Sequence, residues 1–262
     1  MRYPLFAAAI AAVVLMLVTA GTPVAGVVMA ETSTAHGPNG ETFSVDRTIY
    51  VQGNKQKVER ERVTTVTDLD KSIIYIIDKS KRVYTEMPLE TLSPTQPGNI
   101  QRGTIHLNKT GETRVIADQP CDEYRRVEEN KLERVTINLC VSTGAPGTKE
   151  VSQFERKMAA RLDGGKYEQS ADNATASMML EKESVLSFRV PDPSRRQAYR
   201  TASLLVETRV KNIQMKPLPP ETFKPPKGYS KLQNRPQTAP SDSLEAPDYI
   251  VDVIPPNLLF YS

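Results

Sequence analysis

The sequence has no tryptophan, 6% aromatic residues, two cysteines and two histidines, His36 and His106. Zinc sites need clustered Cys and His ligands, and a Ser-His-Asp triad would rest on His106 alone. The chain has no Gly-x-Ser-x-Gly motif, no phosphate-binding glycine loop and no EF-hand spacing of its aspartates. We therefore predict no catalytic residues, no metal and no cofactor, and hence a protein that is not an enzyme.

The charge of the chain is also nearly balanced, with 34 basic and 31 acidic residues. Positive and negative side chains alternate within short stretches, as in residues 55–62, instead of forming a basic stripe. A nucleic-acid binder would show such a stripe. We therefore expect no nucleic-acid partner.

The N-terminus has the features of an export leader. Arg2 is followed by an apolar run from Leu5 to Val18 and then by small residues up to Ala30, an order typical of a secretory signal peptide. Cleavage is expected after Ala30 or, alternatively, after Ala25. An uncleaved anchor is disfavoured because glycine and proline interrupt the second half of the run, so we expect no stable membrane span after cleavage. No cysteine precedes Cys121, so there is no lipobox, and we expect a periplasmic or secreted protein.

The sequence pattern predicts β-strands over most of the chain after the leader. Apolar and polar residues alternate with a period of two, and β-branched residues are frequent between turn signals such as Gly53-Asn54. The predicted strands lie at 43–51, 57–66, 72–77 with 82–86, 103–107 with 113–116, 184–190 and 199–214.

Cys121 and Cys140 mark the ends of one further hairpin, with its turn centred at Asn130-Lys131. Symmetric pairing about that turn places Cys121 directly opposite Cys140 and Tyr124 opposite Ile137. We predict a disulfide that contributes about 3 kcal/mol by closing this loop. The cysteines would share a polar face on the outside of the sheet, with Tyr124, Val135, Ile137 and Leu139 on the opposite, apolar face.

Two helices are predicted, at 151–163 and 174–182, the first from apolar residues at helical spacing. Their apolar side chains either line a cavity that holds an apolar ligand or simply pack helix against sheet. The candidate lining residues are Phe154, Met158, Leu162, Met178 and Met179.

The predicted organisation has four parts. Residues 1–30 form the signal peptide, 31–40 a flexible N-terminal arm, 41–232 the β-rich domain and 233–262 a proline-rich C-terminal tail. The fold class is α+β but mostly β, with about two helices packed on an antiparallel sheet.

One segment resembles a family of exported bacterial domains of unknown function related to the LolA/LolB-like lipoprotein carriers. The resemblance rests on TGETRVIADQPCDEYRR, where Thr110-Gly111, Ile116-Ala117, Cys121 and Tyr124 match and Asp118 replaces the usual glycine. YVQGNKQKVE at 50–59 and ETFKPPKGYSKL at 221–232 are similar to other parts of that family. The resemblance implies a curved, unclosed half-barrel with helices on its concave side.

In the lipoprotein carriers the concavity holds acyl chains. We therefore expect a non-enzymatic envelope protein that binds a lipid, an acyl chain or a lipoprotein in the concave face of its sheet. The alternative is an envelope scaffold that engages a partner protein through residues 233–262. Binding and scaffolding would both suit a chain without catalytic motifs.

Overall fold

Strand β1 (Ala25–His36) lies in the middle of the sheet, between β2 (Thr42–Gln52) and β11 (Tyr199–Pro217), and pairs antiparallel with both. The computed structural model describes residues 25–92, 107–129, 133–162, 176–191 and 199–232. The other strands are β3 (Lys55–Glu59), β4 (Val63–Asp68), β5 (Ile73–Asp78), β6 (Val83–Pro88), β7 (Asn108–Ile116), β8 (Gln119–Glu129), β9 (Glu133–Ser142), β10 (Met178–Pro191) and β12 (Ser230–Lys231).

All twelve strands belong to one sheet, in the order β12-β6-β5-β4-β3-β2-β1-β11-β10-β9-β8-β7. Every neighbouring pair is antiparallel except β12 with β6. Within the described residues β12 and β7 form the two ends of the sheet and do not pair with each other, so the sheet is open. The predicted class, mostly β with an unclosed antiparallel sheet, is confirmed.

The sheet is strongly curved. Strands β7 and β11 approach to within 8 Å between Cα atoms, although four strand spacings separate them in the sheet order. In a flat sheet that separation would be about 19 Å. The sheet must therefore bend sharply between these strands.

Helix α1 (Thr148–Leu162) fills one end of the concave side of the sheet. This is the end where β1 carries Val27 and Met29, and we call it the upper end. Its buried residues Val151, Phe154 and Met158 recur every three or four positions and pack on Val27 and Met29 of β1 within the main cluster. Gly147 at φ +79° precedes the helix, and a Cβ there would lie 2.3 Å from a methyl group of Val27. Glycine is therefore required where the helix starts against the central strand.

A second, smaller cluster lies on the opposite face of the sheet. Successive residues of a strand point to opposite faces, so Tyr75 and Ile77 of β5 point to this side while Ile74 points to the main core. Leu218 and Phe223, from the segment that follows β11 and includes a 3-10 turn at Pro220–Phe223, cover them. The C-terminal part of the domain thus packs on the convex face.

The predicted second helix at 174–182 is wrong over its described residues, because 176 and 177 belong to no regular element and Met178–Pro191 is strand β10. Residues 174 and 175 lie outside the described residues. Met, Leu, Glu and Lys favour helices in isolation, but here pairing with β9 and β11 overrides that preference. Among the described residues α1 is the one α-helix.

The predicted flexible arm at 31–40 is also wrong in its first part, since residues 31–36 are the second half of β1. Val27 and Met29, placed by sequence in the leader, are 0% and 4% exposed in the main core. Residues 25–30 have the small side chains typical of the exit of a leader, but they form part of a strand buried on one face.

Two further strand predictions need correction. The stretch 57–66 is not one strand but parts of β3 and β4, which pair with each other across a turn at residues 60–62. The predicted turn at 108–111 lies inside β7, which pairs with β8 through the two-residue turn Ala117-Asp118. Of the predicted partner strand at 103–107, only Leu107 lies within the described residues.

The predicted disulfide between Cys121 and Cys140 is present, with the two Cα atoms 5.4 Å apart. The register differs by two residues from the prediction, since Glu123 lies opposite Cys140 and Arg126 opposite Ile137. The predicted position outside the sheet is wrong, because Cys121 and Cys140 are 3% and 0% exposed in the main core. The pairing of β9 with β10 shifts between Met179 and Glu181, so β10 carries one extra residue beside Cys140.

Candidate functional site

The five predicted cavity-lining residues do not share one environment. Phe154, Met158 and Met178 are at most 5% exposed inside the main cluster, and Leu162 packs against it. Met179 is half-buried and directly follows Met178 on β10, so its side chain points to the opposite face of that strand. The structure thus brings the first four together as packed core under α1.

Below this core the same face of the sheet continues along the strands. Pairing is regular from Glu31 to His36 between β1 and β11, and likewise across β2, β10, β9 and β8. Directly opposed residues of antiparallel strands present their side chains on the same face. Cross-strand rows can therefore be followed from one strand to the next.

Two such rows define the site. One row runs Val45, Ser33, Thr208, Lys182, Leu139 and Tyr124, from β2 to β8. The next row runs Phe43, Ala35, Val206, Ser184, Ile137 and Arg126. Both continue the face of Met29 and Ile49, which is the face that α1 covers higher up.

Most side chains on this lower part are apolar, and we call them the apolar face. Its members are Phe43 and Val45 of β2, Leu204 and Val206 of β11, Leu186 and Phe188 of β10, and Val135, Ile137 and Leu139 of β9. Phe43 is 67% and Val45 49% exposed, Ile137 is buried, and the others are half-buried. Apolar side chains on a sheet that remain in partial contact with water in this way form a surface suited to an apolar ligand.

A band of polar side chains, which we call the polar row, begins at the border of the main core and extends into the two cross-strand rows of the apolar face. Its members are Glu31, Ser33, Arg47, Lys182, Ser184 and Thr208. Arg47 donates from Nε to Glu31 Oε2 at 2.6 Å, and both residues are less than a tenth exposed. The Ser33 and Thr208 hydroxyl oxygens lie 2.8 Å apart in a hydrogen bond.

Lys182 and Ser184 complete the polar row on β10, and each is 7% exposed. Burial, and second to it the charge of Arg47, lowers the pKa of Lys182 to about 8. Ser184 Oγ is buried and makes no hydrogen bond in the part of the chain that the structure describes. A buried hydroxyl without a partner costs free energy, so the polar row carries an unsatisfied group beside a buried cation.

A second concave feature lies on the other side of the sheet, under the segment after β11. It is a cleft of about 300 Å³, lined among others by Lys55, Asp68, Lys71 and Phe223. The Asp68 carboxylate accepts hydrogen bonds from the backbone N–H groups of Asp70 and Lys71 and lies 3.4 Å from Lys55 Nζ. Its polar groups are thus used in holding a turn, and the apolar face remains the stronger candidate.

The histidines and the other possible metal ligands do not form a catalytic or metal site among the described residues. His36 is exposed at the end of β1, with Nδ1 3.0 Å from Thr42 Oγ1, and His106 lies outside the described residues. No group of three or more His, Cys, Asp or Glu side chains within the described ranges is placed to hold a metal ion. No helix among those ranges is long and apolar enough to cross a membrane.

The sequence did contain a signal for the apolar face. The parity of Phe43 and Val45, and that of Leu186 and Phe188, places each pair on one face of its strand. What the sequence did not show is that these strands share a face, because β2 and β10 are joined only through β1 and β11.

A family model described as "Domain of unknown function (DUF4412)" matches residues 28–229. Among curated proteins, none matches the chain.

Several solved structures align with the fold at low identity. PNGF-II aligns with a TM-score of 0.36 and 9% identity over 80% of this chain and 31% of its own, so this chain spans under a third of that protein. A LolA superfamily protein from Nitrosomonas europaea gives a TM-score of 0.30 and 10% identity over 78% and 91% of the two chains. A DUF1329 family protein from Desulfovibrio piger gives 0.31 and 6% over 83% and 96%. Similarity at this level carries no argument about function.

Proposed function

We propose that this chain, which belongs to the DUF4412 family, is a non-enzymatic module of the cell envelope that binds an apolar ligand on its apolar face. The ligand class is a lipid, an acyl chain or the lipid moiety of a lipoprotein. The observation that carries the proposal is the apolar face itself, in which four strands contribute partly exposed apolar side chains next to a packed core.

The size of the apolar face suits a long chain. From β2 to β9 the face spans four strand spacings, or about 19 Å. An extended acyl chain could cross most of that width and bury methylene groups against Phe43, Leu186 and Leu204. Each buried methylene contributes about 0.8 kcal/mol, so a long chain would bind with useful affinity without any covalent chemistry.

An extracellular or periplasmic location is part of the proposal. The leader-like N-terminus favours it, and the Cys121–Cys140 disulfide supports it because such bonds persist in oxidising compartments. A carrier or sensor of apolar molecules is useful in that setting because its ligands dissolve poorly in water.

The test uses the delipidated full chain and the neutral apolar fluorophore N-phenyl-1-naphthylamine. We expect saturable binding to the wild type and at least tenfold weaker binding to the variant Phe43→Asp/Val45→Asp. Both positions are exposed, so this variant should fold.

A matched control is Tyr199→Asp/Val127→Asp, which changes an aromatic residue and a valine of similar exposure, 68% and 43%, on the opposite face. It should bind the fluorophore like the wild type. Absence of saturable binding to the wild type, or equal loss in both variants, would contradict the proposal and favour a scaffold that uses residues 233–262.

A further inference from the structure

The polar row and the apolar face are parts of one continuous surface. Lys182 lies in the same cross-strand row as Val45, and Ser184 lies in the same row as Phe43. A molecule bound across these rows would therefore contact buried polar groups at one end and apolar side chains along its length.

The polar row offers positive charge to such a molecule. Arg47 and Lys182 are both buried on this face, close enough for the charge of Arg47 to act on Lys182. Glu31 accepts a hydrogen bond from Arg47 Nε, and its carboxylate is the one acidic group among the residues of the row. A buried cation is stabilised by an anion placed beside it.

Ser184 Oγ adds a donor in the adjacent row. It is nine-tenths buried and lacks a partner among the described residues, on the same side of β10 as Lys182. An anionic oxygen at this position would accept a hydrogen bond from the hydroxyl group and lie next to a cation, an arrangement stronger than a hydrogen bond between neutral groups.

We infer that the polar row binds the anionic head group of a single-chain amphiphile, such as a fatty-acid carboxylate, whose chain lies on the apolar face. This inference rests on the proposed function and adds the chemical class of the ligand. Lys182 and Ser184 hold the head group, and Phe43, Val45 and Leu186 contact the chain.

The experiment measures displacement of N-phenyl-1-naphthylamine by dodecanoate and by dodecanol, which share one chain and differ in head group. On the wild-type full chain, dodecanoate should displace the fluorophore at about tenfold lower concentration than dodecanol. Lys182→Met should remove most of that preference, measured as the ratio of the two displacing concentrations within the same variant, so that any change in its affinity for the fluorophore cancels. The control Lys216→Met, an exposed lysine opposite Gly26 on the other face, should keep the preference.

The outcomes separate the two proposals. If the fluorophore does not bind, the proposed function fails. If it binds but the two displacing compounds are equivalent, or Lys182→Met and Lys182→Gln both keep the preference for dodecanoate, the head-group site is overturned and the apolar face stands.

A second inference comes independently from β1. Backbone pairing already joins Ala25 to Pro217 and Gly26 to Lys216. A Cβ at Gly26 would lie 2.5 Å from Leu218 Cδ1, so this glycine is packed under the C-terminal segment. Cleavage after Ala30 would remove half of the central strand, and cleavage after Ala25 would place a charged amino group at its packed start.

The sequence offers another cleavage point before the strand. Val18-Thr19-Ala20 lies at the end of the apolar run and has the small-residue pattern that leader peptidases recognise. If the chain is exported, we infer that it is cut between Ala20 and Gly21, which leaves four residues ahead of Ala25 and all of β1 intact.

N-terminal sequencing and intact mass of the protein recovered from the periplasm of a bacterial host test this inference. The expected N-terminus is Gly21, and Ala20→Arg should block processing. An N-terminus at Gly26 or Glu31, or an uncut chain, would overturn it.

Discussion

Glu31 and Arg47 lie directly opposite each other on β1 and β2, and Arg47 Nε donates to Glu31 Oε2 at 2.6 Å with both side chains buried. This pair occupies the boundary where the packed core under α1 gives way to the apolar face. A charged pair in this position is costly to desolvate. It marks the boundary between the part of the sheet that the protein itself fills and the part that we propose holds a ligand.

Breaking this pair should strongly destabilise the fold. Arg47→Met leaves the Glu31 carboxylate buried without its partner and should lower the free energy of unfolding by about 3–5 kcal/mol. The double variant Glu31→Gln/Arg47→Met should lose less than Arg47→Met alone. Urea unfolding measures both variants, and an Arg47→Met variant as stable as the wild type would contradict the buried pair.

The control for this prediction is Lys211→Met. Lys211 Nζ lies 2.9 Å from Asp46 Oδ1, and both side chains are more than half exposed on strands of the same sheet. An exposed pair contributes little, so this variant should unfold like the wild type.

Lys182 should make stability depend on pH in a defined window. Its pKa in the folded chain, about 8, lies below its ordinary value of 10.5. Between these values the unfolded chain binds a proton that the folded chain has released, so this group makes the free energy of unfolding rise with pH. Lys182→Met removes the charge and should be more stable than the wild type at pH 7.

The difference between the two proteins should shrink as the pH approaches 10.5. Urea unfolding at pH 7, 8, 9 and 10, compared between variant and wild type, isolates this group from the other lysines and tyrosines. A difference that is constant over the whole range would show that Lys182 titrates normally.

The turn between β7 and β8 contains a strained alanine. Ala117 and Asp118 have φ values of 50° and 61°, both in the left-handed region, and close a two-residue hairpin between Ile116 and Gln119. Turns of this kind favour glycine, and a left-handed alanine costs roughly 1–2 kcal/mol. Ala117→Gly should therefore raise the free energy of unfolding by about 1 kcal/mol.

A comparison with Ala35→Gly, in strand β1, controls for the general effect of glycine. That change should lower stability by about 0.5–1 kcal/mol. Thermal unfolding of both variants measures these two changes in stability. A loss of stability in Ala117→Gly would show that the turn does not need a left-handed residue.

Removing the disulfide should also destabilise the domain. Cys121 and Cys140 are 19 residues apart in sequence and both buried in the main core. Closing a loop of that length stabilises the fold by about 3 kcal/mol. Cys121→Ala/Cys140→Ala should therefore melt at a lower temperature than the oxidised wild type.

Dithiothreitol serves as the internal control. It should lower the melting temperature of the wild type and leave that of the double variant unchanged. A wild type that melts at the same temperature with and without the reductant would mean that the bond does not contribute to stability.

The sequence predicted faces of strands better than it predicted registers. In the β8–β9 hairpin the predicted register was two residues away from the observed one, with Cys140 opposite Glu123 instead of Cys121. An error of two residues preserves which side chains share a face, so Tyr124 and Ile137 still lie on the same side. A turn centre displaced by one residue accounts for this error.

The missed elements were those whose structure depends on distant partners. Met178–Lys182 is composed of residues that favour a helix, yet it pairs with β9 and β11. Val27 and Met29 looked like the end of a leader, yet they form the centre of the core because β1 pairs with β11, almost two hundred residues away in the chain. The apolar face depends on the same long-range pairings, which local sequence patterns do not reveal.

We expect an apolar chain to bind below the polar row and not under α1. The most direct test is photo-crosslinking of the full chain with a dodecanol analogue that carries a diazirine at the end of its chain, followed by peptide mapping. We expect modification in β2, β10 and β11 around Phe43, Leu186 and Leu204. Modification centred on Phe154 and Met158 of α1, or no saturable modification at all, would contradict it.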